Sequence, residues 1–409
     1  MKRRDVIKGL TILPVAGGIL GSVMPFDIFT ASSTVTSAAK RDLFKELGVR
    51  TFINARGTIT FMTGSLMHDY VLETINNTSK EFCMLDELQD KVGEKIAEMT
   101  HAEAATVTSG AFSALTLGMA GILTGMDLEK VERLPQLEGS GMKSEVIIQK
   151  NHKIHYNHAL LNCGVKFVYV ETPVDVDKAV NKKTASMHFL GSALLQGKMN
   201  YQEWLELAKK HNLPATIDIA ANVPPVSNIW EFNDMGFDFV ALSGGKAIRG
   251  PQSAGILMGK KDIIAAARLS APPRGFNVGR GMKVNKEEIL AMYVALEQYI
   301  NRDHDEEWKE WEARVAHIAK AAETVHGVET HSYVPPIADH TPTLRISWDL
   351  DKVKISGDEF LEALSKGSPS IEAYGGGKNS ITVSPWMMIP GQERIVANRI
   401  KEELQNAST

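Results

Sequence analysis

Between about residues 100 and 260, short apolar runs alternate with spacers of helix length. The runs are Ala104–Thr108, Glu145–Gln149, Phe167–Val170, Ala215–Ile219, Phe237–Leu242 and Gly255–Met258. Runs of this kind, uniformly apolar rather than alternating, predict a mostly parallel sheet covered by helices on both faces. Upstream, Val71, Leu72, Ile75, Leu85, Leu88, Val92 and Ile96 recur at helical spacing. Arg41 to Leu47 reads as a short amphipathic helix. Downstream, Glu287 to Val325 reads as long helix punctuated by the charged stretch Arg302–Glu307. Thr343–Trp348 and Ser380–Val383 then read as strands of a smaller α+β unit, closed by a helix over Glu393–Leu404. No repeat of fixed period is present. The fold class is α/β, and 409 residues exceed what one core organises, so more than one domain is expected. The pattern divides at 1–38, 39–300 and 301–409.

The first segment has a different character. Met1-Lys2-Arg3-Arg4-Asp5-Val6-Ile7-Lys8 precedes an apolar, glycine-containing run from Gly9 and then small polar residues from Thr30 to Ala39. Charged, apolar and small-residue parts in that order make an export signal. Arg3-Arg4 with Lys8 resembles the twin-arginine type, although Lys2 and Val6 depart from its usual pattern; an ordinary secretory signal or an uncleaved anchor is the alternative. The expected location is therefore the periplasm, with membrane contact only through this segment.

Composition narrows the chemistry. A net charge of -4 lacks the surplus of Lys and Arg that a general grip on nucleic acid needs, so the expected partner is a small molecule. Cys83 and Cys163 are too few for a zinc cluster, and the sequence leaves open whether they pair. Three-residue spacing of His152, His155 and His158 does not keep all three on one helical face, so no metal is expected there. Gly245-Lys246 and Gly377-Lys378 both lack the Ser or Thr that would complete a phosphate-binding P-loop.

Open α/β sheets bind ligands at the carboxyl ends of their strands, so the residues just past each apolar run matter most. Ala104–Thr108 leads into Ser109-Gly110-Ala111, small residues opening an apolar helix, where free N–H groups make an anion site. His152 comes after the next run. Asp218 sits inside an apolar run, where a carboxylate needs a cationic partner. Ser243-Gly244-Gly245-Lys246 succeeds Phe237–Leu242. Anion cradle, ring able to stack, buried acid and lysine are together what pyridoxal 5'-phosphate (PLP) requires. Taken singly, each has a plainer reading: a solvated lysine, a strand-end acid, a core or helix-capping histidine.

Asn54-Ala55-Arg56-Gly57-Thr58, Thr100 to Ala114, Asp218-Ile219-Ala220, Ser243 to Lys246 with Gly250-Pro251-Gln252-Ser253-Ala254-Gly255-Ile256, and Arg280 to Lys286 resemble the selenocysteine synthase-like group of PLP enzymes. That group includes seryl-tRNA selenium transferase and D-glucosaminate-6-phosphate ammonia-lyase, and the resemblance covers roughly residues 41 to 300. It implies an aminotransferase-like, fold-type-I large domain and a smaller α+β C-terminal domain. It further implies Lys246 as the Schiff-base lysine, Asp218 as partner of the pyridine nitrogen, Ser109, Gly110, Ala111 and Ser243 as phosphate ligands, and His152 as the stacking ring. Arg345 would hold a substrate carboxylate, with a structural ion pair as the rival. The expected activity is α,β-elimination of ammonia-lyase type on a small amino acid or amino sugar acid. Racemase, aldolase, aminotransferase and selenium transferase-like activities are the enzymatic alternatives, and a binding protein that has lost catalysis is the other. A homodimer is expected, because such sites usually borrow residues from a second subunit.

Overall fold

The computed structural model describes residues 41–408. The segment read as an export signal lies outside them. Among the described residues, 41–50 and 51–408 belong to separate units. In the first, a single helical turn, Leu43–Glu46, is capped by Asp42, whose side chain accepts the Lys45 N–H at 3.1 Å.

The second unit contains two main sheets. In chain order its strands are β1 (Ile53–Asn54), β2 (Ala104–Thr108), β3 (Glu145–Gln149), β4 (Lys166–Val170), β5 (Thr184–Leu190), β6 (Ala215–Asp218), β7 (Phe239–Ser243), β8 (Gly255–Gly259), β9 (Val328–Tyr333), β10 (Thr343–Trp348), β11 (Ile371–Glu372), β12 (Tyr374–Gly377) and β13 (Ser380–Val383). The large sheet has the order β2-β8-β7-β6-β5-β3-β4. All its neighbours are parallel except β8, which runs against both β2 and β7. Successive strand residues point to opposite faces, so Ile147, Val240 and Leu242 enter one core while Val146, Phe239 and Ala241 enter the other. With both faces covered, every residue of β5 is buried.

The expected long helix is two helices, Lys286–Asn301 and His304–Ala322. They separate at Arg302-Asp303 because Asp303 takes the N-cap position and accepts the Glu306 N–H at 2.9 Å. The smaller sheet, β12-β13-β10-β9, is antiparallel and packs its own core, which includes Ile318, Leu344, Ile346, Phe360 and Ile400. The parallel pair β1–β11 is a separate two-stranded sheet that joins the segment after Thr51 to the strand just before β12. Cys83 is exposed and Cys163 is buried with its thiol on the Thr116 carbonyl, so the two are not paired. Among the described residues no helix is long and apolar enough to cross a membrane.

Candidate active site

Lys246 lies three residues beyond the end of β7, on a turn laced by backbone hydrogen bonds. The Gly244 N–H donates to the Ala254 carbonyl (3.0 Å), the Gly250 N–H to the Gly244 carbonyl (2.9 Å), and the Arg249 N–H to the Lys246 carbonyl (2.9 Å). The turn is tight enough to require glycine. A Cβ at Gly245 would stand 2.4 Å from Gln252 Cα, and one at Gly244 only 2.9 Å from the Ala254 carbonyl oxygen. The Ser65 N–H closes the turn from above by donating to the Gly245 carbonyl at 3.1 Å. Lys246 is half-buried, and among the described residues no carboxylate pairs with its amine.

The amine faces a cavity of about 570 Å³ whose floor is built at the carboxyl edge of the large sheet. Asp218 ends β6 and lines this cavity while only 7% exposed. One of its oxygens accepts the Ala220 N–H at 2.9 Å. Burial holds its carboxyl above the usual range, and the nearby Lys246 charge pulls the other way. Ser243, at the end of β7, also faces the cavity. Gly110 and Ala111, opening the helix Gly110–Thr124 directly after β2, bring a helix N-terminus to the same space. Their approach depends on Gly255 of β8, where a Cβ would come within 2.6 Å of the Ala111 nitrogen.

Two further segments wall the cavity. Asn54 shapes the loop after β1. Its Oδ1 accepts the N–H groups of Arg56 (3.0 Å) and Gly57 (2.9 Å), and its amide donates to the Gly57 carbonyl (2.9 Å). Arg56 and Thr58 thereby face the cavity, with the Arg56 guanidinium 5.4 Å from the centre of the Phe61 ring. From the smaller sheet come Asp339, Thr343 and Tyr374. The Asp339 N–H donates to the Ala221 carbonyl (3.2 Å), three residues from Asp218, so the loop between β9 and β10 is anchored on the floor.

Three comparisons bear on this geometry. The aminotransferase class-V family matches residues 140–275, the part that supplies β3 to β8 and Lys246. The D-glucosaminate-6-phosphate ammonia lyase of Salmonella typhimurium is 24% identical over 380 residues, 90% of this chain and 99% of that one. The 5'-C-glycyluridine monooxygenase-decarboxylase of a Streptomyces species is also 24% identical, over 88% of this chain and 92% of its own length. The L-seryl-tRNA(Sec) selenium transferase of Mannheimia succiniciproducens is 25% identical but spans 60% of this chain and 51% of its own. A solved D-glucosaminate-6-phosphate ammonia-lyase superposes with a TM-score of 0.80 at 23% identity, over 90% of this chain and 99% of that one. The chain has the aminotransferase-like, fold-type-I fold.

The fold-type-I framework fits PLP on the residues present. A buried carboxylate opens on the cavity and calls for a cationic or N–H partner. A helix start with a hydroxyl beside it suits a phosphate, and an amine without an acid partner stands between them. Of the expected residues, Gly110, Ala111, Asp218, Ser243 and Lys246 converge on the cavity.

The other three sit elsewhere. Ser109 is not on the cavity wall; its hydroxyl turns to that of Ser113 at 2.9 Å, which leaves the anion cradle to the residues after it. His152 is fully buried: its Nδ1 accepts the Leu190 N–H (3.2 Å) and its ring lies edge-on to Phe189, the centroids 4.5 Å apart. It is a core histidine, and burial lowers its pKa to about 4. Tyr156, four residues on and 59% exposed, is the ring from this segment that lines the cavity. Arg345 is exposed on the smaller sheet and does not line the cavity; Tyr374, whose strand pairs across β13, stands on the wall in its place. Arg56 lay within a motif visible in the sequence. Tyr156, Asp339 and Tyr374 lay on segments with no local signal, and only the docking of the smaller sheet reveals the last two.

Proposed function

We propose that the chain is a PLP-dependent lyase that releases ammonia from a 2-amino-3-hydroxy acid of the amino sugar acid class. The observation that carries this reading is the convergence of an unpaired Lys246 amine, the buried Asp218 carboxylate and a helix N-terminus on one cavity. The similarity to the Salmonella ammonia lyase along nearly its full length supports the reaction class.

Lys246 would hold the cofactor through its amine, Asp218 would face the ring nitrogen, and Gly110, Ala111 and Ser243 would take the phosphate. When bound, PLP supplies an electron sink that stabilises negative charge at the substrate's amino carbon. The rest belongs to the protein. Asp218, kept from water at the end of β6, offers a fixed charge or proton to whatever donor or acceptor meets it. The Lys246 amine would be the base that takes the proton from the amino carbon. Arg56 is the cation on the wall available to the substrate's carboxylate or phosphate, the role that exposed Arg345 does not fill.

The decisive experiment gives purified protein D-glucosaminate 6-phosphate and a panel of D- and L-2-amino-3-hydroxy acids, then assays ammonia, keto acid and enantiomer. Release of ammonia and keto acid in equal amounts by wild type, none by Lys246→Ala, and a visible cofactor band present only in wild type is the expected result. Enantiomer without ammonia would replace the lyase reading with a racemase.

We also propose that the chain is exported to the periplasm and works as a homodimer. Support for the dimer is the set of exposed apolar side chains Phe61, Leu66, Phe82 and Met84, with Phe61 directly following Thr60 on the cavity wall. Sedimentation at assay concentration tests this, and a fully active monomer would overturn it.

A further inference from the structure

Asp339 is the second carboxylate on the cavity wall and has no part in the scheme above. Its backbone is held rather than free. The residue adopts φ 49°, a left-handed conformation uncommon outside glycine. Its N–H donates to the Ala221 carbonyl (3.2 Å), and its carbonyl accepts the Thr341 N–H (2.7 Å). The loop is braced further by His340, whose Nδ1 meets the Pro335 carbonyl at 2.8 Å and whose ring lies 5.8 Å from that of Trp308. Pinned on both sides, the loop keeps Asp339 on the cavity wall. Among the described residues nothing donates a hydrogen bond to the Asp339 carboxylate, and no cation pairs with it, so its hydrogen-bonding capacity is directed at the cavity.

The charged and titratable groups near it are Lys246 from the floor, Tyr374 from β12 with Tyr333 and Arg345 beside that ring, and His340 in its own loop, while Asp218 and Arg56 line the same cavity. Solvent reaches Asp339 through the cavity, yet the surrounding protein holds its carboxyl above the usual range, against the opposing Lys246 charge. Asp218 is spoken for by the ring nitrogen and Lys246 by the proton it removes. A 2-amino-3-hydroxy acid still needs a proton for its departing oxygen, because hydroxide is a poor leaving group.

We propose that Asp339 is the general acid that protonates the hydroxyl leaving the substrate's third carbon. The proposal rests on the lyase reading. The C–H bond at the amino carbon breaks, its proton going to Lys246 and its electron pair forming the new carbon–carbon double bond. The neighbouring C–O bond breaks with its pair on oxygen, and the Asp339 proton turns that oxygen into water. Lys246, now an ammonium, returns its proton to the Asp339 carboxylate, so both groups end as they began. Water then hydrolyses the resulting enamine to keto acid and ammonia.

The test compares Asp339→Asn and Asp339→Glu with wild type on two substrates, the 3-hydroxy acid and its 3-chloro analogue, whose chloride departs without a proton. Asp339→Asn should lose about 100- to 10,000-fold in kcat on the hydroxy substrate and stay within a few-fold of wild type on the chloro substrate. Asp339→Glu should recover part of the loss. The cofactor's visible band, and the substrate concentration that half-shifts it, should match wild type in Asp339→Asn. Equal losses on both substrates, no loss on either, or a variant that no longer binds cofactor or substrate would overturn the role. Lys246→Ala run alongside separates the two readings: if it keeps cofactor colour and eliminates chloride, the lyase scheme itself fails, whatever Asp339→Asn does.

Discussion

Arg56 and Arg345 show how much the surroundings of a side chain decide at the residue scale. Both are guanidiniums suited to a carboxylate or phosphate. Arg345 alternates outward on β10, between buried Leu344 and Ile346, whereas Arg56 is turned inward by the three hydrogen bonds of Asn54. Replacing Arg56 with Ala should raise KM for an anionic substrate roughly 10- to 100-fold, with a smaller change in kcat, as expected of a charge-assisted contact worth about 1.5–3 kcal/mol. Arg345→Ala should leave both constants within about two-fold, the usual scale of an exposed substitution. Steady-state kinetics on the two variants check the pair, and the reverse ranking would return Arg345 to the site. His152 obeys the same logic: a histidine after a strand can stack on a ring or fill a core, and burial beside Phe189 chose the second.

At the scale of elements, the turn from Ser243 to Ala254 is the part with least tolerance. Its glycines permit backbone to lie on backbone, and the atoms nearest a Cβ at Gly245 are all backbone of Gln252. Gly245→Ala should therefore cost about 1–3 kcal/mol, the range for forcing extra volume into a packed region. It should also lower kcat, because displacing the turn moves the Lys246 amine. Denaturant unfolding and turnover measured on the same preparation check both, and a variant of wild-type stability and rate would show that the turn can yield. The strands differ in how plainly they announce themselves. β3, β6 and β7 are short, largely apolar runs, and their bounds lie within two residues of where those runs place them. β5, Thr-Ala-Ser-Met-His-Phe-Leu, carries neither alternation nor a β-branched run, yet it is a fully buried interior strand of the sheet. Its place is set by β3 and β6 on either side, which satisfy its backbone and force even His188 inside.

For the whole molecule, those buried histidines set a dependence on pH. Burial lowers the pKa of His152 to about 4 and that of His188 to about 3, and His68 falls to about 4 through burial and the charges of Arg249 and Arg302. Unfolding returns each to its ordinary value of 6.5. Between those limits the unfolded chain binds more protons than the folded one, so stability is complete above about pH 6.5 and declines as pH falls toward about pH 4. The raised carboxyls of Asp218 and Asp339 act in the opposite sense, since protonating them relieves the folded state. The informative quantity is thus a difference: His188→Asn should have a shallower fall in melting temperature between about pH 6.5 and pH 4 than wild type. Thermal scans at fixed ionic strength measure the slope independently of any loss in absolute stability, and parallel curves would show that His188 does not titrate on unfolding.

What the sequence by itself determined is what local physics can encode. Apolar runs with helix-length spacers specify a covered parallel sheet, and small residues after Thr108 specify a helix start open to an anion. The glycines before Lys246 specify a turn close to the sheet edge, and one acid in the apolar Ala215–Ile219 run specifies a site beneath it. Tertiary structure decided whatever depends on how distant segments meet. It put His152 in the core and Arg345 at the surface, brought Asn54 and Arg56 over the cavity, and set the β9–β10 loop against Ala221 so that Asp339 faces Lys246. Chain neighbours fix a residue's backbone and period, but which face meets water and which meets another element is settled only when the two sheets pack.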